Sequence, residues 1–168
     1  MQDAITQLTD CLPRLRRYAR ALVGERSSAD DLVQDTMERG WTRLSSWQSN
    51  SDMRAWLFGI MHNLYIDQFR KKSLPTETID ENTPTQSVEG SQTIGLEIRD
   101  MEAALRLLPP DQREILLLVG LEEMTYDEIA SNLRIPVGTV MSRLYRARER
   151  LRAVMEGRNF ASSLKVVK

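Results

Sequence analysis

The chain has 168 residues, of which 28% are charged and 6% are aromatic, and its formal net charge is −1. A net charge this close to zero excludes a general polyanion binder, so any contact with nucleic acid must come from local charge. Cys11 and His62 are each the only residue of their type, which excludes an internal disulfide and leaves a zinc site without ligands.

The chain carries no apolar run long enough to span a bilayer, and its acidic N-terminus lacks the order of a signal peptide. We therefore expect a cytoplasmic protein without a membrane span. No pairing of a nucleophile with a base, no metal-ligand cluster and no glycine-rich phosphate loop is present in the sequence. We expect no catalytic residues, no metal, no cofactor and no small-molecule substrate, so the protein is not expected to be an enzyme.

Three parts of the chain differ in composition. Residues 4–72 and 96–158 carry apolar residues at helical spacing, and no stretch alternates with a period of two. Residues 73–95 between them are rich in Thr, Ser, Pro and acids and contain no Lys or Arg, which predicts a flexible linker. The sequence therefore predicts an all-α fold: two small helical domains joined by a flexible acidic linker, with residues 159–168 as a tail.

The first domain is predicted to contain three helices. Apolar residues at three- and four-residue steps predict one helix from Leu8 to Leu22 that ends at Gly24. Ser28 and Asp31 predict a capped start for the second helix. That helix is expected to turn four apolar side chains inward: Leu32, Val33, Met37 and Trp41. A polar loop over 44–51 precedes a third helix over 53–72.

The second domain is predicted to end in a helix-turn-helix. A helix over 96–108 stops at two prolines, and Asp111 is expected to cap the next helix, over 112–121. Thr125 and Glu128 predict a capping box for a short helix that ends near Leu133. The last helix, over 137–157, is expected to expose polar and basic residues: Thr139, Ser142, Arg143, Arg146, Arg148, Arg150 and Arg152. Such a helix can bind the DNA major groove; alternatively it is a solvated basic helix with Glu149 as ion-pair partner.

Other features of the first domain leave two interpretations open. Tyr65 and Phe69 lie among Arg70, Lys71 and Lys72, where aromatic rings can stack on unpaired bases or close the core. Trp56 is interpreted as a core residue, and Trp47, in the polar loop, as either buried or a contact to a base or partner. The acidic face of residues 30–41 is either solvated or a docking surface for a basic protein.

Taken together, these motifs resemble the extracytoplasmic-function (group IV) sigma factors of bacterial RNA polymerase. DDLVQDTMERGW at 30–41 is similar to the family's polymerase-clamp-binding helix, and AWLFGIMHNLYIDQFRKK at 55–72 to its −10 melting and recognition helix. LLPPDQREILLL at 107–118, followed by MTYDEIA and IPVGTVMSRLYRARERL, is similar to its −35 binding domain. The second domain looks closest to the general-stress branch of the alphaproteobacteria.

The resemblance implies a promoter-specificity subunit that binds core RNA polymerase and promoter DNA and that an anti-sigma factor inhibits. It places polymerase contacts at Asp31, Leu32, Gln34, Asp35 and Met37. It places −10 contacts in the loop 44–52, which includes Trp47, and on the strand-separating helix at Asn63, Asp67, Arg70 and Lys71. It places −35 contacts at Thr139, Ser142, Arg143, Tyr145, Arg146 and Arg148.

Two positions depart from the family pattern. Met141 stands where a basic residue is common, so one DNA contact is either missing or apolar. Arg134 stands in the turn, where glycine is common; a left-handed backbone there would cost a non-glycine residue about 1 kcal/mol. Both positions weaken the case for transferring a promoter sequence from relatives.

Two other classes of protein remain as alternatives. The first is a sigma-like decoy that binds an anti-sigma factor without touching DNA; such decoys are joined to a receiver domain, for which this chain has no room. The second is a free-standing helix-turn-helix regulator. That class leaves residues 30–41 and 55–72 unexplained, and regulators of this kind usually dimerise on paired half-sites.

Overall fold

The computed structural model describes residues 1–73 and 93–157, with side chains described for 1–68 and 99–157. Within these ranges the expected all-α fold is confirmed, since they contain helices and no strand. The elements, in chain order, are α1 (Gln2–Asp10), α2 (Leu12–Val23), α3 (Arg26–Thr42), a short 3₁₀ helix (Leu44–Ser46), α4 (Met53–Ser73), α5 (Thr93–Arg106), α6 (Pro110–Gly120), α7 (Tyr126–Leu133) and α8 (Val137–Met155).

The predicted linker, residues 73–95, lies mostly outside the described residues, as does the predicted tail, residues 159–168. At the two ends of the linker the helices extend further than the composition indicated, since α4 reaches Ser73 and α5 already begins at Thr93. The first domain consists of α1 to α4 and the second of α5 to α8.

The first domain packs α2, α3 and α4 around an apolar core. Tyr18 and Phe58 meet edge to face, with ring centroids 4.8 Å apart and planes at 74°, a favoured aromatic geometry. A Cβ atom at Gly40 would lie 2.8 Å from Leu57 Cδ2, so α3 and α4 approach this closely only because position 40 is glycine. The other large apolar side chains that are fully buried in this core are Leu8, Leu15, Leu22, Leu32 and Met61.

Three expectations for the first domain are wrong in detail. The single helix expected from Leu8 to Leu22 is two helices, separated at Cys11, with a proline in the first turn of α2. Helix α3 is capped by the Glu25 carboxylate, which accepts bonds from the amides of Ser27 and Ser28 at 2.8 and 2.7 Å. Ser28 therefore lies inside the helix. Trp41, expected to face inward, is 55% exposed.

The second domain packs α8 against α6 and α7. The predicted capping box is confirmed: the Glu128 amide donates to Thr125 Oγ1 at 3.2 Å, and the Thr125 amide donates to Glu128 Oε2 at 2.8 Å. The cap of α6 differs from the prediction, because Pro109 occupies the cap position and Asp111 lies in the first turn. There its carboxylate complements the helix dipole.

The turn between α7 and α8 is tight and places a non-glycine residue in a left-handed conformation. Arg134 has φ 55° and ψ 47°. This is the left-handed backbone for which glycine is common at this position of the family pattern. The Ile135 amide donates to the Ala130 carbonyl at 3.1 Å, and Pro136 caps α8. This geometry fixes the angle at which α8 leaves the turn.

The two domains pack against each other, and side-chain to main-chain hydrogen bonds cross their interface. The Arg113 guanidinium donates to the Leu22 carbonyl of α2 at 2.8 Å. Arg54 of α4 donates to the Glu122 carbonyl at 2.8 Å, and Asn132 of α7 donates to the Ala55 carbonyl at 2.9 Å. These bonds join helices α2 and α4 of the first domain to the second domain.

Two carboxylates are buried at this interface. Glu114 of α6 meets His62 of α4, with Oε1 and Nδ1 2.5 Å apart. The Glu122 side chain is fully buried and lies 3.6 Å from the Arg17 guanidinium and 4.0 Å from that of Arg14. Burial raises the pKa of the Glu122 carboxyl above its ordinary 4.5, while the nearby arginines oppose that shift. Desolvation in the docked state therefore opposes ionisation of this carboxyl.

The raised pKa of Glu122 predicts a pH-dependent stability. The folded state holds the Glu122 proton more tightly than the unfolded chain does, so this contribution is fully present below the ordinary pKa of 4.5 and is lost as the pH rises through the raised value. Each unit of pKa difference corresponds to about 1.4 kcal/mol. Glu122→Gln, which cannot ionise, should therefore gain stability relative to the wild type as the pH rises from about 4 to 7.

Urea unfolding of both proteins across this pH range measures the difference. The exposed neighbour Glu123 supplies the control, since Glu123→Gln should follow the wild type. A difference between Glu122→Gln and wild type that does not change with pH would contradict the prediction.

The left-handed Arg134 predicts a stabilising substitution. Arg134→Gly should raise the free energy of unfolding by about 1 kcal/mol, because glycine adopts this conformation without a Cβ clash. Arg148→Gly, at an exposed helical position of α8, is the matched control and should lower it by about 1 kcal/mol. Chemical denaturation measures both. If the two variants shift stability in the same direction, the strain assigned to Arg134 is absent.

Candidate nucleic-acid interface

Helix α8 is the second helix of a helix-turn-helix and is held by one apolar face. Val140, Leu144 and Ala147 are buried against α6 and α7. These positions repeat at helical spacing, so the side chains between them point away from the domain. The opposite face of α8 is therefore presented to solvent in a fixed orientation.

The structure separates the predicted −35 residues into two groups. Ser142, Tyr145, Arg146 and Arg148 are exposed on the outer face of α8. Thr139 and Arg143 are half-buried on one flank instead. Arg143 Nε lies 3.7 Å from Asp111 Oδ2 of α6, so part of its charge is already engaged within the domain.

Two exposed apolar residues of α8 were not among the predicted contacts. Met141 is 53% exposed and Val137 is 36% exposed. Met141 lies four positions from Val137 and from Tyr145, a spacing already visible in the sequence, which places all three along one side of the helix. The outer face of α8 is thus partly apolar as well as basic.

The charge of α8 is strongly asymmetric. The helix carries five arginines and one acid, Glu149, which pairs with Arg152 at 2.8 Å. Arg146 Nε donates to the Ser142 carbonyl at 3.3 Å along its own helix. Because the formal net charge of the whole chain is −1, this helix concentrates positive charge that the rest of the molecule balances. Such a local concentration suits a phosphate backbone.

The predicted −10 residues lie on α4 and in the preceding loop. Asn63 and Asp67 are exposed. Arg70 and Lys71 have side chains outside the described set. Trp47 is half-buried and packs against the apolar core, with its Nε1 atom buried. It is therefore a partly internal residue and not a free aromatic platform in this conformation.

The aromatic residues of α4 belong to the core edge. Tyr65 and Trp56 are half-buried and pack against the apolar cluster. Burial raises the pKa of the Tyr65 hydroxyl. Of the two interpretations left open for Tyr65, closure of the core is the one the structure supports; Phe69 lies outside the described side chains.

One flank of α4 is covered by the second domain. Ala55 accepts the Asn132 bond, His62 meets Glu114, and Gly59 lies between them on the same side of the helix. The exposed Asn63 and Asp67 lie beside this covered flank. The docked arrangement therefore places the helix-turn-helix next to the helix that carries the predicted −10 contacts.

The predicted polymerase contacts lie on α3. Asp31, Gln34 and Asp35 are exposed, and Met37 is half-buried. Leu32 lies on the inner side of α3 and is fully buried in the core between α2 and α4, so its side chain is not exposed to a partner in this structure.

A groove of about 890 Å³ runs beside this face of α3. Its apolar lining includes Leu12, Val33, Met37 and Trp41, and its rim includes Arg16. The exposed Trp41 ring was missed as a site residue, because its spacing from Leu32 and Met37 suggested the core. A second groove, of about 830 Å³, lies between α2 and the second domain, with Leu105 and Leu117 on its wall.

Neither metal chemistry nor a membrane span is indicated by the residues that the structure describes. Within residues 1–73 and 93–157, His, Cys, Asp and Glu form no group of three or more that could hold a metal ion. Across the same part of the chain, no helix is long and apolar enough to cross a membrane.

Comparison with family models matches both domains. Residues 8–62 match the model described as the Sigma2 domain of PhyR, and residues 98–151 match the model described as Sigma-70, region 4. The first match covers the end of α1, all of α2 and α3 and the first half of α4. The second covers most of α5 and α8 and all of α6 and α7, including the helix-turn-helix.

Solved structures share the fold. A sigma factor RpoE from Bartonella quintana, crystallised with the anti-sigma factor NepR, aligns with a TM-score of 0.79 at 32% identity, over 93% of this chain and 98% of that chain. The anti-anti-sigma factor PhyR from Bartonella quintana, complexed with NepR, aligns with a TM-score of 0.58 at 23% identity, over 87% of this chain and 48% of that chain. The likeness to PhyR concerns the fold alone.

A curated relative extends the match to sequence. The ECF RNA polymerase sigma factor EcfG of Rhodopseudomonas palustris is 40% identical over 145 residues, which are 86% of this chain and 80% of that protein. This identity extends across both domains, and the region 4 model matches the helix-turn-helix. The two proteins therefore share a family and not only a fold. The chain belongs to the ECF sigma factors of bacterial RNA polymerase.

Proposed function

We propose that this chain directs core RNA polymerase to promoters with a −35 and a −10 element, using α8 for the first element and α4 for the second. The observation that carries the proposal is the exposed, arginine-rich outer face of α8, presented by a capped helix-turn-helix. The chain forms and breaks no covalent bonds in this role; it selects the start site for the polymerase. It acts in the cytoplasm, where polymerase and chromosome meet.

The −35 contact rests on the exposed group of α8. The guanidinium groups of Arg146 and Arg148 can donate pairs of hydrogen bonds to guanine or phosphate. Ser142 and Tyr145 are exposed on the same face of the helix. Thr139 and Arg143 contribute from the flank, and Arg143 must first leave Asp111 to reach DNA. The outer face therefore does most of the reading.

The −10 contact rests on α4 and the loop before it. Asn63 and Asp67 are exposed and offer hydrogen-bonding groups to an unpaired base. Arg70 and Lys71 follow in sequence and supply charge for the backbone. Trp47 is half-buried, so its part is to support the loop that receives a base.

The polymerase contact rests on the acidic side of α3. Asp31, Gln34 and Asp35 present carboxylates and an amide to a basic partner surface. Met37 and the exposed Trp41 ring lie beside them and add apolar contact area. A polar face next to an apolar groove is typical of a protein interface.

An anti-sigma factor is the proposed regulator, in keeping with a role in stress response. The neighbouring RpoE structure contains the anti-sigma factor NepR. In this chain the groove between α2 and the second domain offers an apolar wall, with Leu105 and Leu117, beneath the rim residues Arg16 and Arg20. An amphipathic helix with acidic residues fits such a groove.

A second candidate function is that of a decoy that binds the inhibitor only. The match of residues 8–62 to the Sigma2 domain of PhyR favours it. The basic outer face of α8 opposes it, since a decoy has no use for DNA contacts. Run-off transcription separates the two: purified chain plus core polymerase on a genomic promoter pool gives discrete new start sites only for a true sigma factor.

Arg146 provides the test of −35 reading. Arg146→Ala should reduce the discrimination between the −35 element and a scrambled sequence by about 1–3 kcal/mol. The reason is that the guanidinium group, which donates paired hydrogen bonds to a base in the major groove, is removed. Competition binding with the reconstituted holoenzyme measures this. Arg99→Ala, at an exposed arginine of α5, is the matched control and should leave discrimination intact. Equal discrimination by Arg146→Ala and wild type would remove α8 from promoter reading.

Asp35 provides the test of polymerase binding. Asp35→Arg should weaken binding to core polymerase at least about tenfold, because a charge at the proposed contact is reversed. Fluorescence titration of labelled protein with core polymerase, in the absence of DNA, measures the affinity. Asp3→Arg, at an exposed acid of α1, should bind as the wild type does. Unchanged affinity of Asp35→Arg would place the polymerase contact elsewhere.

A further inference from the structure

An apolar stripe runs along the solvent-exposed side of α8. Val137, Met141 and Tyr145 are spaced four residues apart and are 36%, 53% and 68% exposed. The buried residues of the same helix, among them Val140 and Leu144, are different ones, so Met141 and Tyr145 lie outside its buried face. Single exposed apolar residues are ordinary, but a continuous row on one helix marks a binding surface.

The charges around the stripe identify the kind of partner. Arg146 and Arg148 are exposed next to Tyr145, and the acid Glu149 is paired with Arg152. An apolar row bordered by arginines complements a surface that is anionic at its edges and apolar at its centre. The major groove of DNA has this character, because phosphates line it and the thymine 5-methyl group is the apolar feature on its floor.

We propose that Met141, with Val137 and Tyr145 beside it, reads thymine methyl groups in the −35 element. This inference rests on the proposed function of α8. The Met141 side chain is unbranched and flexible, so it can follow a methyl group on either strand of the groove. The contact is apolar and neutralises no phosphate, so it adds sequence preference without adding salt dependence.

The test removes the methyl group and nothing else. In a promoter identified by run-off transcription, each thymine of the −35 element is replaced in turn by deoxyuridine, which pairs in the same way but lacks the 5-methyl group. Binding is measured by competition with the full chain assembled on core polymerase. At one or two positions the wild type should bind about fourfold more weakly, the loss expected for one buried methyl group.

The variants assign that loss to Met141. Met141→Ala should bind the unmodified element about as weakly as the wild type binds the deoxyuridine one, and should show no further loss on deoxyuridine. Met141→Leu should keep the sensitivity. Met141→Arg should lose it, and the logarithm of affinity should fall more steeply with salt, by about one unit of slope. Met155→Ala, at an exposed methionine near the end of α8, is the matched control and should behave as the wild type.

Each other outcome overturns the inference. Deoxyuridine that has no effect at any position, or the same effect in Met141→Ala as in wild type, excludes methyl reading by Met141. A −35 element without any A·T pair does so as well. If Met141→Ala weakens transcription while deoxyuridine is silent, the stripe contacts the polymerase or another protein. Failure of the proposed function is distinct from all of these, since it appears as absent start sites in run-off transcription.

Discussion

The Arg113 guanidinium ties the ends of helices from both domains together. Its nitrogens lie 2.8 to 3.0 Å from the carbonyl oxygens of Leu22, Leu105, Arg106 and Leu108. Carbonyls at helix ends have no partner within their own helix, and burying them unpaired costs about 1–3 kcal/mol each. A planar group with five donors can pair with several at once, which lysine cannot do. This side chain therefore joins α6, against which α8 packs, to the end of α2.

The docked domains divide α4 and α8 differently between solvent and interface. Helix α8 packs on its own domain mainly with its apolar side, so Arg146, Arg148 and the Met141 and Tyr145 side chains of the stripe remain exposed. One flank of helix α4 is covered by α6 and α7: Asn132 of α7 donates to the Ala55 carbonyl, and Glu114 of α6 meets the His62 ring. The two helices proposed to read DNA are thus unequally available in this arrangement, although they belong to the same function.

The sequence predicted what depends on neighbours along the chain. The capping box of Thr125 and Glu128 and the helix-turn-helix follow from residues a few positions apart. The sequence-based prediction was wrong where a neighbouring residue provided the cap instead. Helix α3 is capped by the Glu25 carboxylate and not by Ser28. The contacts between domains, such as that of Arg113 with a carbonyl 91 residues away, carry no local pattern, so only the assembled fold reveals them. The same holds for the exposure of Trp41, which helical spacing assigned to the core.

The bonds between Arg54, Asn132 and their carbonyl partners have a thermodynamic consequence, because each of these groups can be solvated by water when the domains separate. The interface is therefore an intramolecular association, because both domains belong to one chain, and its strength is set by an effective concentration. Closing does not depend on how much protein is present, so dilution leaves the docked fraction unchanged. A ligand that needs both domains apart binds with its intrinsic affinity multiplied by the open fraction. A substitution that weakens the interface therefore raises the apparent affinity for such a ligand, even if the substituted residue does not contact the ligand.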